Sequence, residues 1–352
     1  MTLDRLETPA LIVEKNILLA NSEKMMKMMK DSGKALRPHY KSHKCSALAH
    51  MQIDAGAIGI TCAKLSEAED LADSGIEDIL IANQVVEPKK IRRLAELAGD
   101  CNLTVCVDCI ENVRALGKAA READTIINCY VEYEIGMQRC GVTTPEEVYF
   151  LAEQIGSYSH LKFGGIQAYA GHVSHTVSLE ERKIATLENE QKLAYLINYL
   201  KERNIEVPAV SGGSTGTSLI KTNSSVYTEI QAGSYLFMDS TYRDLGLPFE
   251  NSLFILSTVV SRKNGLIVID SGVKSCGVDQ GMPVCYGISA SITASEEHFQ
   301  LANPSSSPAV GSKVRLIPGH CCSTVNLYDK LYIVDGNRVI DRLEITARGK
   351  SR

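Results

Sequence analysis

Apolar, β-branched runs recur through the first two thirds of the chain, at residues 34–40 (KALRPHY), 57–63 (AIGITCA), 78–84 (DILIANQ), 103–108 (LTVCVD), 125–133 (TIINCYVEY), 162–169 (KFGGIQAY), 207–213 (VPAVSGG) and 229–237 (EIQAGSYLF). Between them lie stretches whose apolar positions return at helical spacing, such as EPKKIRRLAELAG, CIENVRALGKAAREA and TPEEVYFLAEQIG. Strands alternating with single helices predict parallel βαβ units, and eight of them close most naturally into a (β/α)8 barrel. After about residue 240 the texture changes to short strand-like runs, among them SLFILSTVVSRK, GLIVIDSG, KVRLIPG, KLYIVDG and RVIDRLEI, separated by Gly, Asn and Ser turns. These predict a second, all-β domain. The early run TPALIVE precedes the first helical segment and is expected to pair with that carboxy-terminal sheet. The expected domains are a barrel over 15–240 and a β domain built from 1–14 and 241–352.

A chain of 352 residues, 44% hydrophobic and 22% charged, can bury one large core and one smaller one. The net charge of -5, without a long run of Lys or Arg, leaves no electrostatic footprint for nucleic acid or an acidic membrane surface. Small metabolites are the expected partners. The amino terminus has no cationic segment leading into an apolar core, and no stretch approaches the roughly 18 apolar residues of a membrane span, so a cytoplasmic location is expected. The eleven cysteines are scattered, which favours reduced thiols over a disulfide framework. Cys106 and Cys109 form a CxxC, but it sits in an apolar strand with no second pair at zinc spacing, and packing is the expected role.

Barrel proteins place their chemistry at the carboxy ends of the strands, where loops vary while the packed interior does not. The polar residues there are Lys41, Lys64, Asn83 with Gln84, Asp108, Arg139, Tyr169 with His172, Ser214 with Thr215, and the segment from Gly233 to Tyr235. The segment SGGSTGT (211–217) offers backbone N–H groups unhindered by bulky side chains, with hydroxyls added, which suits a phosphate. A phosphate site facing a lysine after the first strand suggests an aldehyde cofactor held at both ends. Lys41 reacts only when unprotonated, and cationic neighbours such as Arg37 or His43 would favour that form.

The motifs TPALIVE, RPHYKSHK, CAKLSEAE, EIGMQRCGV, SGGSTGT, VYTEIQAGSYLFMD, DSGVKS and PGHCCSTVNLYD run essentially from end to end. Through them the sequence resembles the fold type III pyridoxal-phosphate enzymes comprising D-threonine aldolase and eukaryotic-type D-serine dehydratase, whose barrel is alanine-racemase-like. The resemblance implies that Lys41 carries pyridoxal 5'-phosphate as a Schiff base, that Arg139 lies near the phenolic oxygen of its ring, and that Tyr169 approaches the pyridine nitrogen. It implies that Ser214, Thr215, Gly216, Gly233, Ser234 and Tyr235 grip the phosphate. It further implies a divalent metal, zinc or manganese, on His320 and Cys322 of the β domain, and a head-to-tail homodimer. Alternation along an extended segment would put His320 and Cys322 on one face, with Cys321 on the other.

Such a metal requires a substrate hydroxyl beside the carbon joined to the cofactor, hence a 3-hydroxy-D-amino acid. Retro-aldol cleavage would use His43 or His172 to take the hydroxyl proton; dehydration would use Lys41 to take the α-proton. The dehydratases of the family show HxC, as here with Cys322, where the aldolases show HxD. Ala170 stands where the aldolase pattern has histidine. SGGSTGT, TEIQAGSYLFMD and TVNLYD resemble the aldolases instead. Because the departures fall on reacting groups, the sequence leans to α,β-elimination (D-serine, D-threonine or 3-hydroxy-D-aspartate dehydratase), with retro-aldol cleavage (D-threonine or 3-hydroxy-D-aspartate aldolase) the alternative. An amino-acid racemase or a non-catalytic carrier of the cofactor would need no metal.

Overall fold

The computed structural model describes residues 1–263 and 265–352. The chain forms two compact units, one of Met26–Lys41, Leu48–Gly233 and Lys350–Arg352, the other of Met1–Met25, Ser42–Ala47 and Ser234–Gly349.

In the first unit eight parallel strands run in the spatial order Ala35–Leu36, Glu229–Ile230, Val210–Gly212, Leu161–Ala168, Ile127–Glu132, Asn102–Val107, Asp78–Gln84 and Ile60–Cys62. A parallel bridge between His39 and Thr61 joins the two ends into a ring. Each apolar run contributes one strand, so the expected barrel is found. Its first and eighth strands span only two residues each, but their pairing continues as Arg37 N–H to Ile230 O at 3.0 Å and His39 N–H to Ala232 O at 3.3 Å. One of the helices between strands starts at a capping box that its sequence signals. Thr144 caps Pro145–Gly156, its hydroxyl taking the Glu147 amide while the Glu147 carboxylate returns to the Thr144 amide, and Pro145 needs no amide partner at the first position.

Period two along residues 37 to 41 sorts side chains between the barrel interior and its outer wall. The Tyr40 hydroxyl donates to Asp70 on the surrounding helix Leu65–Asp73 at 2.6 Å, whereas Arg37 reaches Glu229 and Asp78 from neighbouring strands. Above that charged layer, Gln167 and Gln231 exchange amide hydrogen bonds at 3.3 and 2.7 Å, and Gln231 also donates to the Ser211 hydroxyl at 2.8 Å. Leu80, Cys106 and Tyr130 pack together beside these groups. These side chains fill the interior in layers, as expected of a packed barrel.

The second unit is a sheet in the order Ser291–Ala294, Phe299–Ala302, Leu266–Ile269, Leu253–Lys263, Ala10–Glu14, Lys330–Asp335 and Arg338–Glu344. Lys313–Ile317 pairs with Leu253–Lys263, and Val284–Cys285 with Lys313–Ile317. The early strand inserts as expected: Ile12 faces Phe254 antiparallel and Tyr332 parallel. Leu11, Ile12 and Val13 are fully buried, each such side chain contributing about 1.5–3 kcal/mol. All eleven cysteines are free thiols, and burial pushes that of Cys106 far up, as befits a packing residue. Among the described residues no helix is long and apolar enough to cross a membrane.

Candidate active site

Lys41 lies in a single 3-10 turn, Tyr40–Ser42, just past the first barrel strand. Its backbone amide donates to His39 Nδ1 at 3.4 Å, which holds the His39 ring against the turn. The Lys41 amine stands 5.5 Å from the centroid of the Tyr169 ring, and the Arg139 guanidinium 5.8 Å from the same centroid. These three residues, with His39, Asn83, Gln167 and Gln231, line a cavity of about 160 Å³ at the carboxy end of the strands. Two cationic side chains thus converge over one aromatic ring, above a floor of paired glutamines.

Arg37 is committed to carboxylates within the barrel. Its guanidinium bonds Glu229 at 3.3 and 3.2 Å and also Asp78. Burial alone would lower its pKa, but the two carboxylates more than offset this and raise it. His43 belongs to the second unit, where it is fully buried, its Nδ1 accepts the Cys45 amide at 3.3 Å, and its ring stands edge-on to Phe237. His172 is exposed, packed so closely on Gly136 that a Cβ there would fall 2.6 Å from its ring. The imidazole on the cavity wall is that of His39, which strand parity with Arg37 and Lys41 could have revealed. Lys64 and Asp108 serve locally: the first precedes the helix Leu65–Asp73, its amide held by Glu67, and the second accepts the Gly141 amide at 3.0 Å.

The turn after Val210–Gly212 is built for close approach. Gly213 adopts φ +77°, and a Cβ on Gly216 would collide with the Ser174 carbonyl. The Ser214 hydroxyl meets those of Ser174 at 2.7 Å and Thr217 at 3.2 Å, and Thr215 is buried beside them. Beneath the turn the buried Lys221 amine pairs with Glu190 at 3.5 Å and sits 3.4 Å over the Tyr227 ring. Gly233 ends the segment after the adjacent eighth strand. A hydroxyl-rich, glycine-opened turn at the paired strands seven and eight suits a phosphate. Ser234 and Tyr235 belong to the second unit, in the turn Ser234–Leu236.

In that second unit His320 is extended, but Cys321–Val325 is one turn of helix rather than the expected extended segment. The helical turn buries Cys321, whose amide donates to Asp239 at 3.0 Å. The Cys322 sulfur lies 3.9 Å from that of Cys321, 3.8 Å from the Ser234 hydroxyl and 3.6 Å from that of Ser42. His320 Nδ1 meets Asp279 Oδ2 at 2.7 Å, and Ser323 bonds the other oxygen of that carboxylate at 2.5 Å. Burial lowers the His320 pKa, but hydrogen bonding and charge from Cys322 and Asp279 raise it more, to about 9. Among the described residues no three His, Cys, Asp or Glu side chains are grouped to hold an ion. One imidazole and one thiol, with the imidazole oriented by a carboxylate, nevertheless form a fit donor pair for a transition ion. No spacing signal pointed to Asp279.

Residues 13–241 match the alanine racemase N-terminal domain, and 252–334 a serine dehydratase domain. The chain is 38% identical over 359 residues to D-threonine aldolase of an Arthrobacter species, covering 99% of this chain and 95% of that protein. It is 38% identical over 360 residues to 3-hydroxy-D-aspartate aldolase of Paracoccus denitrificans, covering 98% and 93%. D-threo-3-hydroxyaspartate dehydratase of a Delftia species is 28% identical over 355 residues, covering 92% and 93%. The crystal structure of D-threonine aldolase from Filomicrobium marinum superposes with a TM-score of 0.97 at 35% identity, covering 100% of this chain and 98% of that one.

Proposed function

This chain belongs to the fold type III pyridoxal-phosphate lyases that include D-threonine aldolase and D-serine dehydratase, and from that premise we propose that it cleaves 3-hydroxy-D-amino acids, by retro-aldol reaction, to glycine and an aldehyde. The observation that carries the proposal is the meeting of Lys41, Arg139 and Tyr169 around one cavity at the carboxy end of the barrel. The choice of reaction follows the relatives: two aldolases stand at 38% identity and the dehydratase at 28%. That reverses the lean toward elimination drawn from the motifs.

Lys41 would hold the cofactor aldehyde, Arg139 would meet its ring oxygen, and Tyr169 would flank the ring. Ser214, Thr215, Gly216, Gly233, Ser234 and Tyr235 would bind its phosphate. Once bound, pyridoxal phosphate supplies an electron sink for charge developing at the substrate α-carbon. His320 and Cys322 would hold a divalent ion, which supplies Lewis acidity toward the substrate hydroxyl. In the cleavage the hydroxyl proton is removed, the Cα–Cβ bond breaks, and a proton returns to Cα. Lys41 and His39, on the cavity wall, are the groups we assign to moving those protons.

Dehydration is the second reading, favoured by Cys322 in an HxC pattern and by Ala170 in place of a histidine. Incubating the purified holoenzyme with D-threonine and with 3-hydroxy-D-aspartate separates the two. Glycine with an aldehyde supports cleavage, whereas ammonia with a keto acid overturns it in favour of elimination.

A further inference from the structure

The loop that carries Arg139 is tied down by carboxylates on several sides. Glu134 accepts the amides of Gly136 and Arg139, the latter at 3.2 Å, and Asp108 accepts that of Gly141 at 3.0 Å. The chain returns so closely to the fifth barrel strand that a Cβ on Gly141 would lie 3.0 Å from the Glu132 carbonyl oxygen. Glu132, the last residue of that strand, is 6% exposed. Gln84 Nε2 donates to its Oε2 at 2.6 Å, and its Oε1 stands 3.9 Å from the Arg139 guanidinium.

At 3.9 Å the Glu132 and Arg139 groups attract as charges without sharing a hydrogen bond. Among the described residues no acceptor takes a hydrogen bond from that guanidinium, although its side chain is 53% exposed. A long side chain so exposed has many rotamers of similar energy, and charge attraction to a rigid strand end narrows them. The attraction selects the rotamers that hold Arg139 over Tyr169 while leaving its fork of N–H donors unspent.

We infer that Glu132, fixed by Gln84, is the positioning residue for Arg139, aiming its guanidinium into the cavity toward an anionic ring oxygen of the cofactor; this rests on the assignment of Arg139 proposed above. Burial raises the Glu132 pKa, opposed by Gln84 and Arg139 and reinforced by Asp108 and Glu134, with Cys106 and Cys140 also facing it. Its charge, and with it the aim of Arg139, is therefore lost at a higher pH than for an ordinary glutamate as the solution is acidified.

The test is a double-mutant cycle on the holoenzyme with Glu132→Gln, Arg139→Gln and the pair, following the pH titration of the bound cofactor's visible band together with kcat and KM. Arg139→Gln should shift the band titration. Glu132→Gln should shift it in the same direction, lower kcat roughly tenfold with little change in KM, and remove the acid limb of the kcat profile, and the double variant should be no worse than Arg139→Gln alone. Wild-type behaviour of Glu132→Gln, or losses that multiply in the double variant, would overturn the inference while leaving the Arg139 assignment standing. An unshifted band in Arg139→Gln would overturn that assignment and the inference with it. Should Glu132→Gln misfold, Glu132→Asp keeps the charge but withdraws it by one methylene: a smaller shift in the same direction supports the inference, and an unaltered band contradicts it.

Discussion

Asp279 Oδ2 lies 2.7 Å from Nδ1 of His320, and Cys322 joins Asp279 in raising the pKa of the same imidazole. One ring nitrogen is thus committed to a carboxylate, as in metal sites where an outer partner fixes the tautomer and raises ligand basicity. Asp279→Asn should weaken zinc binding roughly 10- to 100-fold while His320→Ala abolishes it. Titration of metal-depleted protein with zinc against a competing chelator measures both, and unaltered affinity in His320→Ala would exclude this donor pair.

The charged layer at the base of the barrel should be a major determinant of its stability. Arg37 is held by Glu229 and Asp78, with its side chain 6% exposed. Glu229→Gln leaves the buried guanidinium under-compensated and should cost about 3 kcal/mol. Urea unfolding followed by far-ultraviolet circular dichroism tests this, since a loss below about 0.5 kcal/mol would place the pair among the inconsequential ones.

Lys221 gives the turn after the seventh strand a pH signature. Burial, only partly offset by Glu190, lowers its pKa from 10.5 to about 8. Between about 8 and 10.5 the unfolded chain therefore binds more protons at this site than the folded one. Its contribution to stability accordingly rises with pH through that window and is constant below it. Relative to Lys221→Met, the wild type should gain stability from pH 8 to pH 10. Parallel stability curves for the two proteins would show that the amine titrates normally.

Much of this architecture was legible because barrel strands are buried on both faces and read as continuous apolar runs; 57–63 and 78–84 each contain one strand. Lys41, Arg139 and Tyr169 were legible too, because strand ends are where polar residues interrupt those runs. The histidines were harder. In RPHYKSHK, period two places His39 with Lys41, but the chain leaves the strand at Tyr40 and turns, so His43 is carried into the second unit's core. A similar break of periodicity at Cys321 made an extended reading of 320–322 fail, because parity does not survive the change to a helical turn. Asp279 and Glu132 carried no local signal. Their partners lie 41 and 7 residues away, and only the fold brings them together.

The most direct measurement is to reduce the purified, cofactor-loaded protein with borohydride and map the modified peptide by mass spectrometry. Reduction of the C=N bond makes the link between cofactor and lysine permanent. The adduct is predicted on Lys41, and the visible band at roughly 420 nm should be missing from Lys41→Ala. An adduct on Lys44 or Lys64, or a colourless protein that takes up no cofactor when it is supplied, would contradict the assignment of Lys41 on which the rest depends.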